Sequence, residues 1–237
     1  MSDQDSALNI AASLRRNGFS GLPRQTRQIY DLVAGIYPLS TLLFHEKAHK
    51  VALELSGITD QMRVLEVATG SGEMLRWLAG VNRKGLTCGI DLSPNMAART
   101  QRLARKGLPG SRIDCQAVDA RRMPFQDGAF DAVVCCYLFE LLGPDGIAET
   151  MGEIHRVLRP GGRFAVVMIG QNVPAFNALY KVAGGLAPAF WGCQVEQAIP
   201  EAMAASEFRV EHDRTVQQGF YPSRVMVARK RARSATM

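Results

Sequence analysis

Three acidic residues follow one another at the ends of short apolar runs, and the first leads into a pair of glycines. Glu66 lies in residues 64–68, ahead of Thr69-Gly70-Ser71-Gly72; Asp91 closes residues 86–90; Asp119 follows residues 113–118. A glycine bend after a strand lets backbone approach a ligand and takes φ values that other residues avoid. Asp91 stands 21 residues after Gly70 (91 − 70), the spacing at which a carboxylate reaches ribose hydroxyls in a doubly wound sheet. Asp119 is placed to accept from an adenine amino group, with the Ala120 amide facing the ring. Taken singly, Asp119 would serve equally as a helix N-cap and Asp91 as the Asx-type start of Ser93-Pro94. Two features turn the reading away from a dinucleotide. The G-x-G-x-x-G register from Gly70 carries Leu75 at its third glycine position, and Glu66 beside the loop would repel a pyrophosphate but suit an ammonium group. The expected ligand is an adenosine-like nucleoside that bears a cation.

These acids need a parallel sheet to bring them to one edge. Strands are expected over residues 64–68, 86–90, 113–118, 130–136 and 163–169, separated by helices that begin near Gly72, Pro94, Pro144 and Pro174. Continuous apolar strands alternating with helices imply a parallel sheet covered on both faces. Ser93-Pro94 has the form of an N-cap followed by a helix-starting proline. Residues 207–216 and 220–229 are two more strand-like runs, joined by too few residues for a parallel crossover, so they should pair antiparallel. Upstream, residues 26–37 and 41–57 read as helices broken at Pro38, and residues 1–25 as a loose polar arm. The expected fold is α/β: a doubly wound, mostly parallel, Rossmann-like sheet with an antiparallel C-terminal hairpin and an N-terminal helical lid. The expected organisation is arm and lid over 1–57, a catalytic domain over 58–230 with a helical insert at 171–200, and a basic tail at 231–237.

Composition narrows the class. A chain of 237 residues with 47% hydrophobic and 21% charged residues fits one soluble α/β domain. The five cysteines, Cys88, Cys115, Cys135, Cys136 and Cys193, form no C-x-x-C pair, so they are expected as buried reduced thiols with no metal site. Of the net charge of +6, Arg229, Lys230, Arg231 and Arg233 carry four units. The body is then near +2, and the basic end is expected to be solvated. No basic, aromatic-interleaved stripe marks a nucleic-acid binder. The first nine residues lack a signal-peptide core, and no run of about 18 apolar residues spans a membrane. The expected location is cytoplasmic.

Five stretches in order carry a resemblance: Leu65-Glu66-Val67-Ala68-Thr69-Gly70-Ser71-Gly72, Gly89-Ile90-Asp91-Leu92-Ser93-Pro94-Asn95-Met96, Asp119 to Phe125, Gly128-Ala129-Phe130-Asp131, and Arg156-Val157-Leu158-Arg159-Pro160-Gly161-Gly162-Arg163. Together they resemble the class I S-adenosylmethionine-dependent methyltransferases, nearest the group of ubiquinone/menaquinone-biosynthesis C-methyltransferases and bacterial phospholipid N-methyltransferases. The resemblance spans about residues 28–230 and implies a seven-stranded sheet whose last strand is antiparallel. It also implies S-adenosylmethionine as cofactor, whose amino group, sulfonium and missing phosphate agree with the reading of Glu66. Glu66, Gly70 and Gly72 would face its methionine part, and Cys136 would border it. Asp91 would take the ribose, Leu92 and Met96 the nucleoside, Asp119 and Ala120 the adenine. Ala68 replaces the family's usual first glycine. Glu140 stands where many relatives have histidine, which makes it a candidate base in its own right.

On the acceptor side the candidates are Tyr30, Tyr37, His45, Glu140 and Tyr221. In relatives, helices such as those bearing Tyr30 and Tyr37 fold over the cofactor as a lid. An unpaired carboxylate at Glu140, among Leu138, Phe139, Leu141 and Leu142, would have a raised pKa and could take a proton. The insert, with Phe176, Tyr180, Phe190 and Trp191, points to a small or lipid-like hydrophobic acceptor. Three rivals are weaker. A nucleic-acid methyltransferase commonly carries an Asn/Asp-Pro-Pro-aromatic motif where Cys135-Cys136-Tyr137-Leu138 stands. A silent cofactor- or partner-binding protein would show an eroded loop. A nicotinamide dehydrogenase would want the third glycine.

Overall fold

The computed structural model describes residues 46–170, 195–218 and 222–232. In chain order the elements are α1 (Glu46–Ser56), β1 (Arg63–Val67), α2 (Glu73–Val81), β2 (Leu86–Asp91), α3 (Pro94–Gly107), β3 (Arg112–Ala117) and β4 (Phe130–Cys136). A 3-10 turn (Phe139–Leu141), α4 (Pro144–Val157), β5 (Leu158–Ile169), α5 (Ala198–Ala205), β6 (Phe208–Gln217) and β7 (Pro222–Lys230) complete them. The seven strands form one sheet in the order β3-β2-β1-β4-β5-β7-β6. β1 to β5 are parallel, whereas β7 runs antiparallel to both β5 and β6.

Alternation along the strands splits the core in two. Leu65, Val67, Ile90, Val133 and Val166 face one side, where Ile147, Met151 and Ile154 of α4 and Ile199 and Met203 of α5 cover them. Val64, Val134, Val167, Val225 and Val227 face the other, under Ala48 and Ala52 of α1 and Met74 and Leu78 of α2. α3 packs beside α2 through Ala104, which clusters with Leu75, Ala79 and Ile113. Its start is the expected one: the Ser93 hydroxyl accepts from Met96 N, with Pro94 in the first turn.

Two strand details go beyond the sequence reading. β5 begins at Leu158, because Leu158 already pairs with Phe130 before the ladder jumps to Ala132–Arg163. Arg159 to Gly162 is therefore a bulge inside a strand, with Gly161 at φ +74, whereas the sequence reading starts the strand at residue 163. The C-terminal hairpin does not simply extend the sheet: β7 wedges between β5 and β6, leaving β6 as the edge. Val225 to Ala228 are buried, as an interior strand requires. β6 carries Arg209, Glu211, His212, Asp213 and Arg214, charges that suit an edge and deter further pairing. Arg229 and Lys230, expected in a solvated basic end, belong to β7. Arg229 Nε donates to Glu211 Oε1 at 2.6 Å, and Lys230 Nζ donates to the carbonyls of His155 and Leu158 at 2.7 and 2.8 Å.

Candidate active site

The strand order reverses at β1, which has β2 on one side and β4 on the other. Ligands of doubly wound sheets bind outside the carboxyl ends of the strands at such a point. The chain leaves both strands through a left-handed non-glycine residue, Ala68 at φ 63 after β1 and Tyr137 at φ 54 after β4. Each costs about 1–2 kcal/mol, and strain of this kind gathers at functional sites. The positive φ at Ala68 is a physical reason for a glycine preference at this place.

The loop that follows is tied to β2. Thr69 N donates to Ile90 O at 3.1 Å and Gly72 N to Thr69 O at 2.8 Å. Gly72 sits at φ +81, and a Cβ there would lie 2.8 Å from Thr100 Oγ1, whereas one on Gly70 would meet nothing within 4 Å. The crest of the loop is open and its base is packed. Asp91 serves the loop and α3 together: Oδ2 accepts from Gly70 N at 2.8 Å and Oδ1 from Ser93 N at 2.9 Å. Each oxygen has a second lone pair, which is what a ribose diol would use. Leu92 is 46% exposed on the rim and Met96 is buried on the inner face of α3.

Glu66 shares a sheet face with Val64 and is flanked in the ladder by Gly89 of β2 and Val134 of β4. Its side chain is buried, and Oε2 has no hydrogen-bond partner among the described residues. Burial first, and then the Asp91 charge, push its carboxyl well above the usual range. A buried carboxylate in this position is costly unless a cation meets it, so Glu66 would suit the α-ammonium of an amino-acid ligand and oppose phosphate. Cys136 ends β4 on the same face; burial and the Glu66 charge drive its thiol upward, which leaves it an inert thiol.

Asp119 follows β3 in a tight turn, Arg122 N donating to Asp119 O at 3.0 Å. No helix starts there, so the N-cap alternative does not hold. Arg121 grips its carboxylate through Nη2–Oδ2 at 2.6 Å and Nε–Oδ1 at 3.0 Å; this pairing holds Asp119 below the usual carboxylate range. Ala120 follows in the same turn and packs against the α4-side core.

Glu140 lies in the 3-10 turn after β4, buried, with Oε1 accepting from Ile169 N at 2.7 Å. It thus ties the ends of β4 and β5. Oε2 has no hydrogen-bond partner among the described residues, and burial pushes the carboxyl up to about 7. Tyr30, Tyr37, His45, Tyr221 and the aromatic residues of the insert lie outside the described residues. Among the described residues no group of three His, Cys, Asp or Glu is placed to hold a metal ion.

Sequence reasoning missed a second cluster beside this edge. Tyr137 Oη lies 2.8 Å from Ser223 Oγ, Gln218 Nε2 donates to both, and Gln218 Oε1 accepts from Ala48 N at 3.2 Å. His49 packs against Trp77 and Tyr137, ring centroids 6.1 and 5.9 Å away, with Nδ1 3.8 Å from Glu73 Oε2. Burial lowers the imidazole to about 4, so it is neutral at pH 7. α1 is thereby fixed to the glycine loop, the β4 exit and the β6–β7 connection. The available signal was His49 itself, four residues after the candidate His45. Arg156 is also structural: it donates to Phe125 O and Met123 O at 2.6 and 2.9 Å and to Glu153 at 2.7 Å, which pins the loop after Asp119 onto α4.

Fold and site together define a doubly wound α/β protein built to hold a cationic nucleoside. Comparison with known proteins agrees. Residues 64–162 match the family model of the methyltransferase domain. The chain is 30% identical over 205 residues to the demethylmenaquinone methyltransferase of Thermus thermophilus, covering 78% of this chain and 90% of that enzyme. It is 31% identical over 157 residues to the ubiquinone/menaquinone biosynthesis C-methyltransferase of Desulfotalea psychrophila, covering 65% of this chain and 61% of that enzyme. Among solved structures, a geranyl diphosphate methyltransferase in complex with S-adenosylmethionine superimposes with a TM-score of 0.63 at 16% identity, covering 78% of this chain and 84% of that one. A [4+2]-cyclase does so with 0.67 at 20%, covering 90% and 99%, which shows that the fold alone does not fix the reaction. The chain belongs to the class I S-adenosylmethionine-dependent methyltransferases, close to the ubiquinone/menaquinone C-methyltransferase group. Its cofactor is S-adenosylmethionine.

Proposed function

We propose that this chain methylates a hydrophobic, lipid-like acceptor of the quinol type at a ring carbon, with Glu140 as the proton acceptor. The observation that carries the reading is the pair of buried carboxylates at the β1–β4 switch point, each with an oxygen lacking a hydrogen-bond partner among the described residues: Glu66 Oε2 and Glu140 Oε2. Glu66 would hold the amino group of the cofactor, Asp91 its ribose, and Asp119 with Ala120 its adenine, while Gly70 leaves room for backbone approach. S-adenosylmethionine, when bound, supplies a methyl group on a sulfonium that departs as a neutral thioether.

The chain's own contribution is alignment and proton handling. Holding the acceptor carbon in line with the methyl replaces a bimolecular encounter, worth roughly 7–11 kcal/mol in favourable cases. A ring carbon that gains a methyl must lose its proton, which nitrogen or oxygen lone-pair attack need not require at the same step. Glu140, poised at about 7, is suited to accept it near neutral pH. The acceptor class is supported by the quinone-methylating relatives, and Tyr30, Tyr37 and His45 remain the candidates to close over it.

The test is calorimetry followed by turnover. Micromolar binding of S-adenosylmethionine and S-adenosylhomocysteine with none of NAD, then methylation of a short-chain demethylmenaquinol, is the expected outcome. Cofactor binding with turnover only on a nucleic acid or a phospholipid amine would overturn the acceptor reading.

A further inference from the structure

A second concentration of positive charge lies away from the C-terminal end, in the α2–β2–α3 stretch. Residues 76–112 hold eight cations, Arg76, Arg83, Lys84, Arg99, Arg102, Arg105, Lys106 and Arg112, against a single acid, Asp91. Asp91 is occupied at the site, by the amides of Gly70 and Ser93. Among the described residues none of the eight side chains forms an ion pair within 4 Å. Acids influence these cations only at a distance: Glu73 for Arg76, Asp60 for Lys84, from whose backbone N–H it accepts, and Asp114 on β3 near Arg112.

On α3 the cations form a stripe. Met96, Ala97, Thr100 and Ala104 face the sheet, so Arg99, Arg102 and Lys106 fall on the opposite side at i, i+3 and i+7, with Leu103 at i+4 among them. Leu103 is 40% exposed and is the exposed aliphatic residue of this helix among the described residues; Leu92 and Val81, at opposite ends of β2, are not part of the stripe. Cations around an exposed aliphatic side chain match a phospholipid surface, where headgroups meet the charge and the upper acyl region meets the leucine. A single-stranded nucleic acid would instead want exposed rings for stacking.

We infer that the α3 stripe, Arg99-Arg102-Leu103-Lys106, docks the protein onto an anionic phospholipid membrane. This rests on the reading that the acceptor is lipid-like, since such an acceptor resides in a bilayer and a docked enzyme meets it there. The inward face of α3 is committed to β3 and α2, so the contact is electrostatic with one shallow aliphatic anchor. Binding is therefore reversible and weakened by salt, because the screening length is about 10 Å at 0.1 M.

The experiment is co-sedimentation of the full chain with phosphatidylcholine vesicles, with or without phosphatidylglycerol. Binding is expected only with phosphatidylglycerol and falls with added salt. Arg99→Gln, Arg102→Gln and Lys106→Gln each weaken it about fivefold, and the triple variant on the order of a hundredfold. Arg209→Gln on the opposite sheet edge leaves it unchanged, and the triple variant keeps its circular dichroism and S-adenosylhomocysteine affinity. Equal binding to both vesicles, insensitivity to the triple variant, or a stripe that retains RNA but no vesicle would overturn the proposal. Turnover of a soluble quinol without vesicle binding would sink the docking while leaving the methyltransferase reading intact. Stripe-dependent vesicle binding with no quinol turnover would leave the docking intact and overturn the quinol acceptor.

Discussion

The two halves of the sheet treat charge in opposite ways. In the β4-β5-β7-β6 half, arginines are staples. Arg156 meets Glu153 and Asp127, Arg159 meets Asp131, Arg163 and Arg229 share Glu211, and Arg224 meets Asp213. These pairs fasten a strand bulge and a hairpin, features that propensity alone would not hold in register. In the β3-β2-β1 half the side chains of the cations on α2, α3 and their loops form no ion pair among the described residues. The halves also divide the chemistry. Asp91 and the glycine loop sit on the β2 side, where the nucleoside would lie, whereas Glu140 ties β4 to β5, where proton transfer is proposed. Charge fixed by partners builds geometry; charge without them is free for an external one.

The sharpest way to break this division is at Glu140. Glu140→Gln keeps an oxygen for Ile169 N–H but cannot take a proton, so kcat should fall about a hundredfold or more with cofactor affinity unchanged. The rising limb of the wild-type pH–kcat profile, centred near 7, should vanish. The same variant reports on stability. A carboxyl raised from 4.5 to about 7 in the fold keeps a proton that the unfolded chain releases, so wild-type stability declines as pH rises from 4.5 through 7. The variant should therefore be more stable than wild type at pH 8, by on the order of 3 kcal/mol. A variant with normal turnover at high pH would remove Glu140 from the chemistry.

Asp91→Ala should act on the other half alone, weakening S-adenosylhomocysteine binding about a hundredfold through lost charge-assisted bonds while the far-ultraviolet spectrum stays native. Unchanged affinity by calorimetry would refute the ribose assignment. Arg156→Ala should lower stability by about 3 kcal/mol, because a carboxylate and two carbonyls lose their donor; a denaturant midpoint would show it. His49→Phe probes α1. The imidazole is held neutral by burial, lowered from 6.5 to about 4, so the wild type loses stability as pH falls from 6.5 towards 4, and the variant should lose less. Smallest of all, Arg102→Gln should change thermal stability by under about 0.5 kcal/mol although it weakens vesicle binding, whereas Arg229→Gln, which breaks a staple, should destabilise by about 1 kcal/mol.

Much of the site could be read from residue types alone because it is local. Glu66, Gly70, Gly72 and Asp91 are set by strand-loop-helix chemistry within a short stretch, and parallel pairing then brings the strand ends to one edge. Ala68 was named for its type, but its left-handed φ emerges only where β1 must turn under the loop. Asp119 reads equally as an adenine acceptor and as an N-cap; no helix starts there, and the residue opens a turn gripped by Arg121, a contact that no periodicity signals. Glu140 was singled out as a carboxylate in an apolar run, while its tie to Ile169 required β4 and β5 to lie side by side.

By itself the sequence determined the alternation of strands and helices, the glycine loop and its acids, the antiparallel sense of the last two strands and the family. Each depends on neighbours in the chain: hydrophobic period, turn residues and short connections. Only the tertiary structure decided that β7 enters between β5 and β6, that His49 joins Glu73 and Tyr137, and that the α2 and α3 cations meet no ion-pair partner among the described residues. Those outcomes depend on which surfaces are buried against which. A buried strand must be apolar on both faces, a buried imidazole must stay neutral, and a cation's partner is set by distance across the sheet, which residue order does not encode.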